Sequence, residues 1–209
     1  MARPVLENAQ IEEFRERLCE AALRIFAEQG YGGFTLRSLA GEIGCSYATP
    51  YRYFRDKAEI FAAVRARAFE RFTDFLEQRL EGASDAEQRV RRLARGYIEF
   101  ALEQPQAFCV MFELEQPDAA AYPELRKSEE RSWRLLAGTV RDAVDSGLIA
   151  GSINTLAHLF WAGIHGIVAL HLAGKLTLGR TAAALVDPMT DALIAAHRAE
   201  GASTHAGTR

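Results

Sequence analysis

Apolar residues recur every three or four positions along almost the whole chain, and this spacing constrains the fold more than any other feature. It is the period of one face of an α-helix. Ile11, Phe14 and Leu18 show it near the start of the chain. No stretch alternates with the period of two that a half-buried strand requires. The sequence therefore predicts an all-α protein of about nine helices.

Residues that start or stop helices divide this pattern into segments. Gly44 suits the left-handed position that ends a helix, and Thr35 and Asp56 are good N-cap residues. The best-defined predicted helices span about 11–29, 35–43, 57–81, 123–146, 154–173 and 178–197, the last two being the eighth and ninth. Asp187-Pro188 predicts a break or kink within the ninth.

The composition is that of a protein with a conventional core. The 209 residues are 49% hydrophobic and 25% charged, which suffices for a core without disulfides or a metal. The net charge of −3 neither supports nor opposes nucleic-acid binding, which depends on the contacting face. Cys19, Cys45 and Cys109 are far apart without a histidine cluster, so we expect no metal and no cofactor. Their odd number and the lack of a signal peptide predict a reducing cytoplasm.

The longest apolar stretch, from Leu156 to Leu172, resembles a membrane span in composition. It is short for that purpose and contains His158, His165 and His171. We therefore predict a buried helix and no membrane partner.

The sequence also argues against an enzyme. It contains no glycine-rich phosphate loop, no Gly-x-Ser-x-Gly motif, no set of metal ligands and no evident catalytic dyad. Serine, histidine and aspartate residues occur, but nothing places them together.

Residues 35–57 form the most informative stretch, with the pattern of a helix-turn-helix. Ala40 is small enough for two helices to touch, and Gly44 tolerates the positive φ of the turn. Ser46 can cap a short second helix over about 47–54. That helix projects the hydroxyl and basic groups that suit a major groove, on Tyr47, Thr49, Tyr51 and Arg52.

These residues resemble the TetR family of regulators. The resemblance covers residues 11 to about 64 and rests on several motifs in a fixed order. They are Gly30-Tyr31, Phe34-Thr35-Leu36-Arg37-Ser38-Leu39-Ala40, Ile43-Gly44-Cys45-Ser46, Pro50-Tyr51-Arg52-Tyr53-Phe54 and Asp56-Lys57. The family implies a DNA-binding regulator, most often a repressor, that binds a palindromic operator and is released by a small ligand.

The resemblance implies a role for each matching residue. Thr35 and Arg37 stand where members touch the DNA backbone or a base edge, and Lys57 stands where a phosphate is held. Backbone contacts position such a protein, whereas groove contacts read the sequence. The predicted DNA-binding residues are Thr35, Arg37, Ser46, Tyr47, Thr49, Tyr51, Arg52 and Lys57.

Two residues depart from the family pattern. Pro50 replaces the usual aliphatic residue, and Ala48 stands where many members have glycine. A proline is tolerated near a first helical turn. Both changes affect the recognition helix, so the operator sequence does not carry over.

The rest of the chain is predicted to bind the ligand. Binding sites for small molecules are mostly apolar with a few polar groups, and Trp161-Ala162-Gly163-Ile164-His165-Gly166 resembles a C-terminal subgroup with a Trp…His-Gly signature. Each aromatic residue is also suited to an ordinary core position. The predicted ligand-binding residues are Tyr97, Phe100, Phe108, Met111, Phe112, Trp133, Leu136, Trp161 and His165.

The eighth and ninth predicted helices are the expected homodimer interface. Small residues such as Gly163 and Gly166 would allow close approach, and Leu159, Ile167 and Ile194 would supply apolar area. A helix-turn-helix dimer reads half-sites about 34 Å apart, or a multiple of that distance.

The predicted domains are an N-terminal arm with the helix-turn-helix (1–57), an effector and dimerisation domain (58–198) and a flexible tail (199–209). The long helix from about 57 joins the first two, so a ligand that tilts it would disturb groove spacing. Two alternatives stay open. They are a regulator that responds to oxidation through a cysteine, and a helical adaptor that binds no DNA.

Overall fold

A computed structural model describes residues 8–112 and 118–199. Over these residues the chain forms eight α-helices and two short 3-10 helices, with no strand beyond an isolated bridge between Ile149 and Arg198. The all-α prediction is confirmed, with a helix count close to the predicted nine. Most of the predicted arm, and the predicted tail after Ala199, lie outside the described residues.

The helices follow the apolar period of the sequence. In chain order they are α1 Asn8–Gly33, α2 Leu36–Glu42, η1 Pro50–Arg52, α3 Lys57–Leu80, α4 Ala86–Glu103, α5 Pro105–Met111, η2 Ala119–Ala121, α6 Pro123–Asp145, α7 Ile153–Leu172 and α8 Ala182–Ala196.

The described chain divides into two compact units. Among the described residues, the first comprises 8–70, 106–112 and 118–129, and the second comprises 71–105 and 130–199. Both α3 and α6 therefore contribute residues to both units. The predicted domain boundary after residue 57 stays a prediction.

The core of the first unit is built on stacked aromatic rings. The ring of Phe26 on α1 lies 4.1 Å from that of Phe34 and 4.6 Å from that of Phe61 on α3, measured between centroids. Leu39 of α2 and Phe54, which follows η1, are buried in the same cluster. This burial fixes α2 and the turn after it on a rigid base.

The core of the second unit joins four helices. Val90 of α4, Val140 of α6, Phe160 of α7 and Ile194 of α8 are all buried in one cluster. The helix α8 packs against both α4 and α7.

Local signals in the sequence place the helix ends of the first unit. The Thr35 hydroxyl accepts a hydrogen bond from the Ser38 backbone N–H (3.0 Å), and the Asp56 carboxylate accepts one from that of Glu59 (2.8 Å). Gly44 has a φ of 68°, which an L-residue adopts at a cost. The predicted caps at Thr35 and Asp56 and the predicted turn at Gly44 are confirmed.

The helix is not broken at Asp187-Pro188, because α8 continues through it from Ala182 to Ala196. Of the predicted break or kink, the kink stays a prediction. Ion pairs from α4 hold α8 on both sides of the proline. Arg95 forms a two-pronged pair with Asp187 (2.8 and 2.9 Å), and Arg91 pairs with Asp191. They join α8 to α4 on both sides of the position where Pro188 cannot donate a backbone hydrogen bond.

Candidate nucleic-acid interface and effector residues

The segment after the turn is shorter than predicted. Residues 47–54 were predicted to form an α-helix, but only Pro50–Arg52 are helical, as a 3-10 turn. The Thr49 N–H donates to the Ser46 carbonyl (2.9 Å), and the Arg52 N–H donates to the Thr49 carbonyl (3.1 Å). Pro50 has no N–H, so it cannot make the bond that would continue an α-helix back to Ser46.

Ser46 does not act as the predicted cap of this segment. Its hydroxyl lies 2.8 Å from the Thr49 hydroxyl, and no side chain caps the 3-10 turn. Ser46 is exposed and Thr49 is half-buried. The pair therefore presents two linked hydroxyl groups beside the turn.

Two tyrosines form the most exposed aromatic surface of the described first unit. Tyr47 and Tyr51 are 52% and 46% exposed, and their hydroxyl oxygens lie 3.0 Å apart. The hydrogen bond to Tyr47 raises the pKa of Tyr51 above its ordinary value, so Tyr51 stays neutral near pH 7. Rings this exposed add little to the buried core, and each hydroxyl can donate to a phosphate or a base edge.

Basic residues flank the tyrosine pair. The guanidinium of Arg37, on α2, lies 6.0 Å from the centre of the Tyr47 ring, at the limit of a cation–π contact. Arg37 and Arg52 are both exposed. The Thr35 hydroxyl is engaged in the cap of α2, which places Arg37 one residue into the helix.

Lys57 stands at the first position of α3. Its ammonium lies 4.3 Å from the centre of the Tyr31 ring and 3.4 Å from the carbonyl oxygen of Gly32. These contacts hold the cation beside the C-terminal end of α1.

The segment 46–54, between α2 and α3, is anchored to α1. Phe14 packs on Tyr53 with ring centres 4.8 Å apart, and Arg15 donates to the Tyr53 carbonyl (2.9 Å). The guanidinium of Arg15 also lies over the Phe54 ring, 4.6 Å from its centre. The sequence analysis did not single out Arg15.

A hydrogen-bonded network lies in the second unit. The Trp161 indole N–H donates to the Tyr97 hydroxyl (3.2 Å), and this hydroxyl lies 3.0 Å from Nδ1 of His165. Burial raises the pKa of Tyr97 and lowers the pKa of His165. Both side chains are therefore neutral at pH 7, and the cluster suits a polar but uncharged group of a ligand.

More of the predicted ligand residues surround this network. The Trp133 ring lies 6.3 Å from that of Trp161 and 4.5 Å from that of His158, and Leu136 packs in the adjoining core. Phe100 is fully buried against Phe72. Thus six of the nine predicted residues belong to the second unit, namely Tyr97, Phe100, Trp133, Leu136, Trp161 and His165.

The other three predicted ligand residues lie on or directly after α5, in the first unit. Phe108 and Phe112 pack against each other with ring centres 4.9 Å apart, and Phe112 also meets Phe69 of α3 at 5.9 Å. Met111 is buried. Ligand contact by any of the nine stays a prediction.

Two family models match the chain. One, described as bacterial regulatory proteins of the tetR family, matches residues 18–64, which contain the helix-turn-helix. The other, described as a tetracyclin repressor-like C-terminal domain, matches residues 90–193. The chain belongs to the TetR family. This confirms the predicted family, whose members are DNA-binding regulators and not enzymes, whereas the Trp…His-Gly subgroup stays a prediction.

Individual relatives agree with this membership. The transcriptional activator FasR of Mycolicibacterium smegmatis is 26% identical over 148 residues, which cover 70% of this chain and 66% of that protein. A solved protein of unknown function from Rhodococcus sp. RHA1 is 30% identical, with a TM-score of 0.76, and the match covers 88% of this chain and 94% of that one.

A third comparison concerns the fold alone. FadR from Bacillus subtilis, solved in complex with stearoyl-CoA, has a TM-score of 0.74 at 17% identity, over 86% of this chain and 97% of that one. The TetR-like fold of the described helices is thus shared at low sequence identity.

The apolar helix α7 of this TetR-family chain is not buried as predicted. Its 20 residues are long and apolar enough to cross a membrane by length and composition, yet only 33% of its most apolar window is buried. Leu159 and Leu170 are 39% and 48% exposed. With the exposed Ala162 and Ala169 and the half-buried Gly166 between them, they form one largely exposed face at steps of three or four residues.

Some residues assigned to the dimer interface lie elsewhere. Ile167 and Ile194 are buried within the second unit. A Cβ atom added at Gly163 would lie 2.8 Å from Sδ of Met189, on α8 of the same chain. Gly163 therefore allows α7 and α8 to approach within one chain. By contrast, a Cβ at Gly166 would meet nothing within 4 Å.

The described cysteine and acidic residues give no sign of a disulfide or of a metal site. Cys19 is buried, Cys45 is half-buried and Cys109 is exposed, and none forms a disulfide. Within the described residues, no three histidine, cysteine or acidic side chains are grouped to hold a metal ion.

Proposed function

We propose that this chain is a cytoplasmic transcription regulator that binds operator DNA as a homodimer and releases it when a small apolar or amphipathic molecule binds. The observation that carries the proposal is the exposed pair Tyr47 and Tyr51 beside Arg37, held on a buried aromatic core. Exposed tyrosine, arginine and hydroxyl side chains on a rigid base are what a duplex contact requires.

Charge supports the placement of the DNA surface. The whole chain has a net charge of −3. We call residues 46–54 the reading segment. Arg52 within it and Arg37 beside it are exposed, and Lys57, which follows it, is half-buried. Locally clustered cations attract phosphates regardless of the total charge.

The exposed face of α7 supports the homodimer. An apolar helix that is largely unburied in one chain loses exposed surface if a second copy covers it. A two-fold pair of chains also presents two reading segments, as a palindromic site requires. We therefore place the interface on α7 and α8.

The network of Tyr97, Trp161 and His165 supports an effector with a polar, uncharged group on an apolar body. FadR of Bacillus subtilis was solved with stearoyl-CoA, which makes an acyl thioester a reasonable first probe. Repression is our proposed mode. Activation is the alternative, since FasR is named an activator.

The decisive experiment selects duplexes from a random pool with the purified chain and measures their affinity by electrophoretic shift. We expect a palindromic consensus, bound with nanomolar affinity. Tyr51→Ala should abolish the shift while circular dichroism stays unchanged. Failure to enrich any sequence, or equal binding by Tyr51→Ala, contradicts the proposed function.

A further inference from the structure

Arg65 is a charged residue in the interior of the first unit. It lies on α3 and is 4% exposed. Burial of a cation is costly unless other groups compensate its charge and hydrogen bonds. The sequence analysis did not identify it, although Arg65 stands four residues after the buried Phe61 and thus on the same helical face.

One nitrogen of Arg65 connects three helices. Its Nη2 donates to the carboxylate of Glu129 on α6 (2.7 Å) and to the backbone carbonyl of Met111 (3.3 Å). Met111 is the last residue of α5, where carbonyl groups have no partner within the helix. A cation is favoured at this end of a helix. Arg65 thus caps α5 and pairs with α6.

The arrangement is specific rather than strongly stabilising. Nε of Arg65 is buried and has no hydrogen-bond partner among residues 8–112 and 118–199. Burial lowers the pKa of Arg65 and raises the pKa of Glu129, so desolvation outweighs the attraction between the two charges. Replacing such a pair with apolar residues is often neutral or stabilising. What the pair adds is geometric specificity, because a guanidinium donates hydrogen bonds only to carbonyl and carboxylate oxygens that lie along its N–H bonds.

A buried residue next to Arg65 packs with both the helix-turn-helix and α5. Val64, the preceding residue, lies in the same buried cluster as Phe34 and Leu39 beneath the helix-turn-helix, and Val110 of α5 belongs to that cluster. Predicted effector residues also stand at this end of α5. A displacement of α5 therefore acts on Arg65, and α3, which carries Arg65, packs beneath the helix-turn-helix.

We propose that Arg65 is a positioning residue that couples α5 to the DNA-reading residues, so that contact of an effector with α5 and contact with DNA alter each other's affinity. This inference rests on the proposed function. Coupling between two sites is reciprocal. DNA binding must therefore change the stability of α5 even when no effector is present, which allows a test without knowledge of the effector.

The test measures hydrogen exchange of the α5 amides, with and without a duplex selected by the wild-type chain. The variant is the double substitution Arg65→Met and Glu129→Met, which leaves no single charge buried. The control is Arg131→Gln, because Arg131 joins the same two helices through Asp74 and Glu77 in the second unit.

In the wild type and the control, DNA should slow α5 exchange about fivefold or more, the lower range of ordinary coupling. In the double variant the slowing should fall below about twofold, although the variant still binds DNA. Without DNA, α5 should exchange faster in the double variant, because its C-terminal cap is lost.

Three results contradict the inference. They are an unchanged α5 in wild type that binds DNA, a DNA-dependent slowing retained in the double variant, and a loss of slowing in the control as well. If the wild type binds no duplex, the proposed function fails and the coupling fails with it, whereas the cap of α5 is still tested by exchange without DNA.

Discussion

The hydroxyl oxygens of Tyr47 and Tyr51 lie 3.0 Å apart, and their rings meet edge to face with centres 5.5 Å apart. Each hydroxyl therefore has a partner before any duplex arrives. A substitution of either tyrosine by phenylalanine removes the same hydrogen bond within the protein. The two variants differ only in which hydroxyl is lost to the DNA.

We predict that Tyr51→Phe weakens DNA binding about tenfold or more, because a hydrogen bond to a charged phosphate is stronger than one between neutral groups. Fluorescence anisotropy with a selected duplex measures the effect. Tyr47→Phe removes the same hydrogen bond within the protein, so the difference between the two variants shows which hydroxyl contributes more to DNA binding. If both variants bind like the wild type, neither hydroxyl touches a phosphate.

Arg37→Ala should lower DNA affinity and reduce its salt dependence. Each phosphate contact that is lost lowers the slope of log K against log salt by about one. Arg37 is exposed, so the fold should not change. Titrations between low and moderate salt give the slope for wild type and variant. An unchanged slope with lower affinity would mean that Arg37 contacts a base instead.

Leu159→Glu or Leu170→Glu should separate the proposed dimer into monomers, because each places a charge on the exposed face of α7. Light scattering after size exclusion measures the mass. Gly163→Leu is not a clean test, because it clashes first with Met189 of the same chain. A stable dimer formed by both glutamate variants would move the interface away from α7.

The pair of Arg95 and Asp187 should make stability depend on acid pH. The hydrogen bond from Arg95 lowers the pKa of Asp187 in the folded state. Its contribution is therefore complete above the unfolded value near 3.8 and is lost as pH falls through the folded value. The free energy of unfolding of wild type minus that of Asp187→Asn should shrink below about pH 4. A difference that is constant with pH would contradict this role.

The sequence predicted those features that depend on local chemistry. The caps at Thr35 and Asp56 and the turn at Gly44 need only neighbouring residues, and all three are confirmed. The helix predicted over 47–54 is wrong. Pro50 already argued against it, because its missing N–H would have made the hydrogen bond to Ser46 that starts the helix. The prediction instead treated Pro50 as a residue of the first turn, where a proline is tolerated. The helix periodicity was strong enough to give the fold.

Features that depend on the partner of a residue were not predictable. Gly163 indicates a close approach of another helix, but the sequence does not show that the neighbouring residue is Met189 of the same chain. Arg65 shows the same difficulty, since a charge among apolar residues is ordinarily read as exposed. Only three-dimensional packing reveals that Met111 and Glu129 meet it.

The short turn around Pro50 has a consequence for the entropy of DNA recognition. The proline ring fixes one backbone angle in every state of the chain, and the hydroxyl pair of Ser46 and Thr49 restrains two side chains beside it. Ordering of mobile side chains is a cost of association. In the free protein, this part of the chain is already restrained. We therefore expect a smaller loss of conformational entropy here when a duplex binds.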